Sequence, residues 1–244
     1  MSLQIRASFI GLAALTGSAM WTPAWAQSDV NLIDQRLAIA GGATPGDTPG
    51  YPITTSRPGS YRLSSNLNVP GGADGILITA DGVTIDLNGS QINGTKNGDH
   101  FVGVNGGDQH RITVRNGGIN NMGTGILING SAAVIEGVTV ANNAGNGIQV
   151  GEHCMISRNI VVGNSGDGID AGRACIISGN IANSNIGVGI LSAWSIVSGN
   201  VASFNINGGG ITCSTCIISG NTTVNDSGIR GAPFRDQRER FIWG

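Results

Sequence analysis

Two aspartates and an arginine lie close together in the segment SGDGIDAGRAC and carry groups that could do chemistry. Asp167 and Asp170 are three residues apart, and Arg173 follows three residues later. Two neighbouring carboxyl groups can divide the roles of general acid and general base, and a guanidinium can bind an anionic group. We therefore take Asp167, Asp170 and Arg173 as the candidate catalytic residues.

Three further side chains fall beside this segment because the chain repeats about every 21 residues. Glu152 then aligns with Arg173, and His153 lies in register with Trp194 two repeats later. An exposed tryptophan ring is a stacking platform for a sugar, so Glu152, His153 and Trp194 are the candidate substrate-binding residues. A structural interpretation stays open, since Gly-Asp-Gly is common turn chemistry and an exposed Glu–Arg pair contributes under about 1 kcal/mol.

Two histidines lie near aspartates in the sequence, a combination that includes metal-ligand types. His100 follows Asp99, and His110 lies two residues after Asp108. This spacing matches no metal-binding motif, and solvated loop residues are the simpler interpretation. We expect no bound metal and no cofactor.

A short repeat occupies most of the chain. The dipeptide Gly-Ile begins rows spaced 22, 21, 21, 21 and 18 residues apart, at Gly125, Gly147, Gly168, Gly189, Gly210 and Gly228. A second marker, Ser-Arg/Gly-Asn, ends at Asn159, Asn180, Asn200 and Asn221. A further asparagine follows at Asn164, Asn185, Asn205 and Asn225. Such a period is typical of solenoid proteins.

The rows of this repeat contain short apolar runs rich in Ile and Val, separated by Gly, Asn, Ser and Asp. The runs are too short for helical repeats, and the motifs of leucine-rich and calcium-binding nonapeptide repeats are missing. The sequence therefore predicts an all-β, right-handed parallel β-helix, a single-stranded solenoid of about eight coils with a short N-terminal capping helix. The asparagines would stack at one corner as a hydrogen-bonded ladder, themselves in the left-handed conformation.

The cysteines follow the same repeat. The position five residues before each ladder asparagine holds Cys154, Cys175, Ser195 and Cys216. We expect this column to point inward, which brings Cys154 and Cys175 within disulfide range. Cys213 and Cys216 form a Cys-x-x-Cys pair, with no second pair close enough for a zinc site. Disulfide bridges and buried thiols are both compatible with the sequence.

Alternation along the strands predicts an apolar column on the outside of the solenoid. If the cysteine column points inward, the residues that follow it point outward, namely Met155, Ile176, Ile196 and Ile217. An exposed apolar stripe usually contacts something, so this column could join protomers side by side, touch a ligand or pack under a terminal segment. A local bulge that turns the column inward is the alternative.

The two ends of the sequence do not follow the repeat. Residues 1–26 contain Arg6, a short apolar run and a small-residue cleavage motif, which predicts a cleaved signal peptide and a periplasmic or extracellular protein. We expect an N-terminal cap over 27–50, with a helix that begins after Asp29. The β-helix would then cover 51–230 and a C-terminal cap or tail 231–244.

The charge of the chain is low and nearly balanced. It has 13 Lys and Arg against 15 Asp and Glu, for a net charge of −2. No long-range field would collect nucleic acid or anionic lipid, so we expect neither as a partner. No segment after the predicted signal peptide is apolar enough to be an integral membrane segment.

The first part of the predicted solenoid resembles a known family. The segments AGGATPGDTPGYPITTSRPGSYRLSSNLNVP and ITADGVTIDLNGSQING are similar to the opening of exported bacterial right-handed parallel β-helix repeat proteins, and the later coils resemble the pectin-lyase-type repeat. The resemblance covers about residues 37–228 and implies the fold, with a carbohydrate-related role by association. The NTD, DD, GHG and RIK segments of pectin hydrolases and the DPHD segment of alginate epimerases are missing.

Two functions therefore stay open. The predicted export, the fold and the polar residues around Asp170 favour a protein that binds polysaccharide and processes it as a lyase, epimerase or hydrolase if it is an enzyme. The missing motifs and the low charge favour a non-catalytic structural or adhesion solenoid of the periplasm or cell surface.

Overall fold

The computed structural model describes residues 30–96, 100–225, 228–230 and 240–242. These residues form a parallel β-solenoid with 25 strands and one short helix, so the predicted all-β fold class is confirmed. The strands lie in two sheets, of 9 and 16 strands. In this part of the chain, no helix is long and apolar enough to cross a membrane.

The nine-stranded sheet, called sheet B, takes one strand from each coil. Its strands are β2 (Ile53–Thr55), β5 (Ile76–Ile78), β8 (Val102–Gly107), β10 (Thr124–Ile128), β12 (Ile148–Val150), β15 (Ile169–Arg173), β18 (Ile190–Ala193), β21 (Ile211–Ser214) and β24 (Ile229–Arg230). The Gly-Ile rows are in register, because Ile126 pairs with Ile148 and Ile148 with Ile169. All three side chains are fully buried, so the sequence period builds an inward column of isoleucines.

The 16-stranded sheet, called sheet A, forms the rest of each coil and bends once per coil. Its strands are β1 (Asn31–Ile33), β3 (Gly59–Leu63), β4 (Leu67–Asn68), β6 (Val83–Asp86), β7 (Gln91–Asn93), β9 (Thr113–Asn120), β11 (Val134–Ala141), β13 (Met155–Ser157), β14 (Ile160–Val162), β16 (Ile176–Ser178), β17 (Ile181–Asn183), β19 (Ile196–Ser198), β20 (Val201–Ser203), β22 (Ile217–Ser219), β23 (Thr222–Val224) and β25 (Arg240–Ile242). The long strand β11 passes through the bend and pairs with both β13 and β14. We call the part of the sheet that contains β13 the first wing and the part that contains β14 the second wing.

Each later bend of sheet A consists of one residue with a positive φ followed by a buried asparagine. Arg158 has a φ of 57° and Gly179 one of 66°, whereas the ladder asparagines keep ordinary backbone angles. The prediction that these asparagines are themselves left-handed is therefore wrong, because the residue before each of them makes the turn and leaves the amide pointing inward. Both the backbone N and the Nδ2 of Asn159 donate to Oδ1 of Asn180, at 3.0 Å each, and Asn180 donates in the same way to Asn200. The predicted ladder is confirmed.

A second asparagine ladder lies at the corner where the second wing passes into sheet B. Its members bond through the backbone N and Nδ2 of one residue to Oδ1 of the next, from Asn143 to Asn164, Asn185 and Asn205. The sequence predicts Asn225 as the next member, and this is wrong. Ser203 pairs with Val224, so Asn225 stands opposite Phe204, and both have positive φ. The last row is one residue shorter here, which shifts the asparagine out of the ladder.

The third corner, between sheet B and the first wing, holds the predicted column of cysteines, and the column is buried as expected. Cys154 and Cys175 form a disulfide between neighbouring coils, with Cα atoms 4.5 Å apart. Cys213 and Cys216 form a second disulfide, with Cα atoms 5.8 Å apart. Ser195 continues the column, since its Oγ accepts a hydrogen bond from the backbone N of Cys175 at 3.0 Å. Of the two states that the sequence left open, the structure has bridges.

The N-terminal helix begins later than the sequence predicts. Asn31–Ile33 form β1, which pairs in parallel with β3 and so satisfies backbone groups that a helix would have used. The helix α1 spans Gln35–Ala40, and Oδ1 of Asp34 accepts a hydrogen bond from the backbone N of Leu37 at 2.7 Å. The N-cap is therefore Asp34, not Asp29, because the sheet takes up the residues before it.

The predicted signal peptide and most of the predicted C-terminal cap or tail lie outside the described residues. Within that tail, Arg240–Ile242 form β25, which pairs in parallel with β23. This short segment extends sheet A by one strand and does not break the repeat.

The predicted apolar column does face outward. Met155, Ile176, Ile196 and Ile217 are 42% to 57% exposed on the first wing. They pair in register from strand to strand, so the alternative of a bulge that turns the column inward is wrong.

Candidate functional site

The predicted site residues lie along the corner between sheet B and the first wing. Arg173 is the last residue of β15, and Glu152 and Trp194 occupy the same corner in the coils on either side. We call Glu152, His153, Asp170, Arg173 and Trp194 the polar strip.

Arg173 connects the polar strip across three successive coils. Its Nε lies 3.7 Å from Oε1 of Glu152, and its guanidinium carbon lies 5.0 Å from the centroid of the Trp194 ring. The predicted alignment of Glu152 with Arg173 is therefore confirmed. All three side chains are more than half exposed, so the ion pair and the cation–π contact each contribute only about 1 kcal/mol or less. The contacts orient the tryptophan ring more than they stabilise the fold.

His153 and Trp194 occupy equivalent left-handed positions two coils apart. Their φ angles are 57° and 50°, and Ala174 has the same conformation in the coil between them. The backbone N of His153 donates to the carbonyl of Arg173 at 2.8 Å, which fixes this corner. Two coil spacings of about 4.8 Å separate the two rings, so His153 extends the polar strip without touching Trp194.

Asp170 lies on the outer surface of sheet B, half-buried between neighbours in the adjacent coils. It pairs with Gln149 on one side and Leu191 on the other, as the sequence alignment of Gln149 predicts. Burial raises the pKa of the Asp170 carboxyl above its ordinary value, and the negative charge of Asp167 raises it further. A carboxyl group with a raised pKa can serve as a general acid.

Asp167 has a defined role in the turn that precedes β15. Its Oδ1 accepts a hydrogen bond from the backbone N of Val188 at 2.6 Å, and its own backbone N donates to Oδ1 of Asn146 at 2.9 Å. Asn146 holds the equivalent place one coil earlier, so this is a third kind of side-chain ladder. The geometry supports the turn interpretation of Asp167, and its charge also acts on Asp170.

The shifted pKa of Asp170 predicts a pH dependence of stability. A carboxyl whose pKa is higher in the folded than in the unfolded state stabilises the fold below its unfolded pKa, and this contribution is lost as the pH rises through the folded pKa. We therefore expect the unfolding free energy of the wild type, minus that of Asp170→Asn, to fall as the pH rises from about 3 to about 7. Urea denaturation at a series of pH values measures this difference. Asp167→Asn keeps an acceptor and removes the charge, so it should narrow the pH window; a difference that is flat in pH would contradict the prediction.

Sequence reasoning missed a column of alternating charges on the first wing. The residues of this charge ladder pair in register on successive strands, and they are Arg62, Asp86, Arg115 and Glu136. Asp86 is buried, and its Oδ2 lies 3.5 Å from Nη2 of Arg62 and 3.3 Å from Nη2 of Arg115. Its Oδ1 accepts from the backbone N of Asn88 and from Nδ2 of Asn116. The signal in the sequence is a charged residue directly after an inward one, in SYRL, TIDL, TVRN and VIEG.

The polar strip projects from a corner and does not line a cavity. Its exposed members, such as Trp194 at 59%, stand out from the surface. A small depression lies in the N-terminal coils instead, beside Pro70, Lys96, Phe101 and Met122. A ligand at the polar strip would therefore lie along the outside of the solenoid.

Comparisons with known proteins give no family assignment. No family model matches the chain, and no curated protein matches it. Among solved structures, the Dettilon tailspike protein matches 70% of this chain and 53% of its own, with 15% identity and a TM-score of 0.42. The catalytic domain of a GH87 alpha-1,3-glucanase in complex with nigerose matches 70% of this chain and 38% of its own, with 16% identity and a TM-score of 0.35. The match spans about half of the tailspike chain, and neither likeness transfers an activity.

Proposed function

We propose that this protein binds polysaccharide along the polar strip. The observation that carries the proposal is the ring of Trp194, which is 59% exposed at a backbone-fixed corner with the guanidinium of Arg173 over it. The apolar face of a sugar stacks on such a ring, and the neighbouring carboxylate and guanidinium can bond its hydroxyl groups. A rigid, oriented aromatic loses little conformational entropy on binding.

The geometry of the solenoid suits a linear ligand that crosses several coils. Glu152, Arg173 and Trp194 stand in consecutive coils, which are about 4.8 Å apart. One coil is thus comparable in length to one sugar unit. A chain lying parallel to the solenoid axis would meet a new side chain with each sugar.

Processing of the bound polysaccharide is the further step, and Asp170 is the residue we place in it. Its raised pKa suits a proton donor to a glycosidic oxygen, with Asp167 as the second carboxyl and Arg173 as the binding group. A lyase, epimerase or hydrolase would be separated from a simple binder by screening the polysaccharides for new reducing ends or unsaturated products. Loss of product with Asp170→Asn, at unchanged binding, would assign the chemistry to this carboxyl.

The proposed location is periplasmic or extracellular. It rests on the signal peptide that residues 1–26 predict, and the two disulfides support it because such bonds persist in oxidising compartments.

Removing the ring of Trp194 should weaken polysaccharide binding by about tenfold or more, because a central aromatic anchor commonly contributes about 2 kcal/mol. Affinity electrophoresis and calorimetry with a panel of acidic and neutral polysaccharides would measure Trp194→Ala against the wild type. Phe204→Ala is the matched control, since Phe204 is also about half exposed at a left-handed corner, but on the opposite edge of the coil. No binding by the wild type across the panel, or equal losses in both variants, would sink the proposal.

The alternative is a non-catalytic structural or adhesion solenoid. The observation that favours it is the outward apolar column on the first wing, since a surface of this kind commonly packs against another protein. The same binding panel distinguishes the two functions, because a structural solenoid would bind none of the polysaccharides.

A further inference from the structure

The outer surface of sheet A carries a second apolar column beside the one that the sequence predicts. The predicted column on the first wing consists of Met155, Ile176, Ile196 and Ile217. The second column, on the second wing, consists of Ile160, Ile181 and Val201, which are 37% to 44% exposed. Only a two-residue bend separates the wings in each of these coils, so the two columns form one surface, which we call the apolar zone.

The apolar zone is almost free of charge. Across both wings in residues 154–224, the described part of sheet A contains one charged side chain, Arg158, and this is paired with Glu136. The residues between the two columns are small, with Ser178 followed by Gly179 and Ser198 by Gly199. A second surface of the same kind would meet it without like-charge repulsion.

The N-terminal half of the first wing has the opposite character. It carries the charge ladder, in which the side chains of Arg62 and Arg115 are 43% and 44% exposed. Covering these guanidinium groups with another protein surface would cost desolvation free energy that no new carboxylate offsets. An interface on sheet A therefore gains from the later coils and loses from the earlier ones.

We propose that two copies of this chain associate side by side, in antiparallel orientation, through the apolar zone. The occupant is a second copy because the zone is complementary to itself: both copies offer apolar columns with the same coil spacing and no unpaired charge. Antiparallel packing overlaps the two apolar zones and leaves both charge ladders in water. Parallel packing along the full length would cover the ladders. This proposal does not depend on the polysaccharide-binding function.

The symmetry fixes which residues meet. A two-fold axis that crosses the apolar zone between the coils of Ile176 and Ile196 places Ile176 opposite the partner's Ile196. In a parallel dimer, by contrast, the axis runs along the solenoid and exchanges the wings, so Ile176 would face the partner's Ile181. The two arrangements can be separated by experiment.

The size of the apolar zone sets the expected strength. Four coils at about 4.8 Å and two short wings give a face of roughly 400 Å², about half of the 800 Å² per partner that a standard interface buries. We therefore expect a reversible dimer with a dissociation constant in the micromolar range, on the order of 10 μM.

Sedimentation velocity of the full chain from about 1 to about 300 μM tests the association. The wild type should move from one-copy to two-copy mass, and both Ile176→Lys and Ile181→Lys should stay at one-copy mass, with dissociation at least tenfold stronger. Ile186→Lys is the matched control, because Ile186 lies in the same coil with similar exposure but in the loop beyond the second wing, and it should dimerise like the wild type. A wild type of one-copy mass throughout, or equal loss in the control, overturns the proposal.

Mixing charged variants tests the orientation. Ile176→Lys mixed with Ile196→Glu should restore two-copy mass, because the opposite charges face each other in the antiparallel dimer. Ile176→Lys mixed with Ile181→Glu should not. The reverse result would overturn the antiparallel arrangement.

Discussion

Replacing Asn180 by alanine should lower the unfolding free energy by about 4 kcal/mol, more than any other single asparagine change on the outer surface. The Asn180 side chain is fully buried, and its Oδ1 accepts from both the backbone N and Nδ2 of Asn159. Its Nδ2 donates to Oδ1 of Asn200 and to the carbonyl of Ile156, at 3.0 and 2.9 Å. Each buried group left without a partner costs about 1 to 3 kcal/mol, and the cavity adds to this.

Urea denaturation of Asn180→Ala measures this loss, and Asn183→Ala is its control. Asn183 lies in the same coil, but its side chain faces the outer surface and bonds only the hydroxyl of Ser184 among the contacts that the structure shows. That variant should lose less than about 1 kcal/mol. Similar losses in the two variants would show that the ladder does not hold neighbouring coils together.

Replacing Asp86 by alanine should lower the unfolding free energy by about 3 kcal/mol. Asp86 neutralises two guanidinium groups, of Arg62 and Arg115, whose Nε atoms are buried without a hydrogen-bond partner in the structure. The change would also leave the backbone N of Asn88 and the amide of Asn116 without their acceptor. Thermal and urea denaturation would both report the loss.

Asp81→Ala is the matched control for the charge ladder. Asp81 also pairs with an arginine, Arg111, at 3.4 Å, and accepts from the backbone N of His110, but both ion-pair partners are largely exposed. An exposed pair is weak, so this variant should lose about 1 kcal/mol or less. If Asp81→Ala cost as much as Asp86→Ala, burial of the carboxylate would not explain the effect.

Much of the fold could be predicted because a solenoid turns sequence spacing directly into spatial neighbours. Rows of nearly constant length place Asn159, Asn180 and Asn200 above one another, and alternation within a strand decides which side chains point inward. The errors occur where the spacing or the local competition changes. Asn225 falls in a row one residue shorter, and Asn31–Ile33 pair with the sheet although their pattern suits a helix.

The polar strip could be predicted in part. The alignment of Glu152 with Arg173 follows from the period, because both lie in rows of equal length. The roles of the two aspartates do not follow from it. Asp167 and Asp170 look alike in the sequence, and only the structure shows that the first is bonded into a turn while the second is half-buried between Gln149 and Leu191.

The sequence by itself determined the coil, the inward columns of isoleucine, asparagine and cysteine, and the outward apolar column, because each depends on period and alternation alone. Only the tertiary structure decided the features that depend on backbone pairing between unequal rows. The charge ladder joins Arg62, Asp86 and Arg115 across spacings of 24 and 29 residues, which no fixed period connects. Burial, which raises the pKa of Asp170 and makes Asp86 stabilising, likewise exists only once neighbouring coils are in contact.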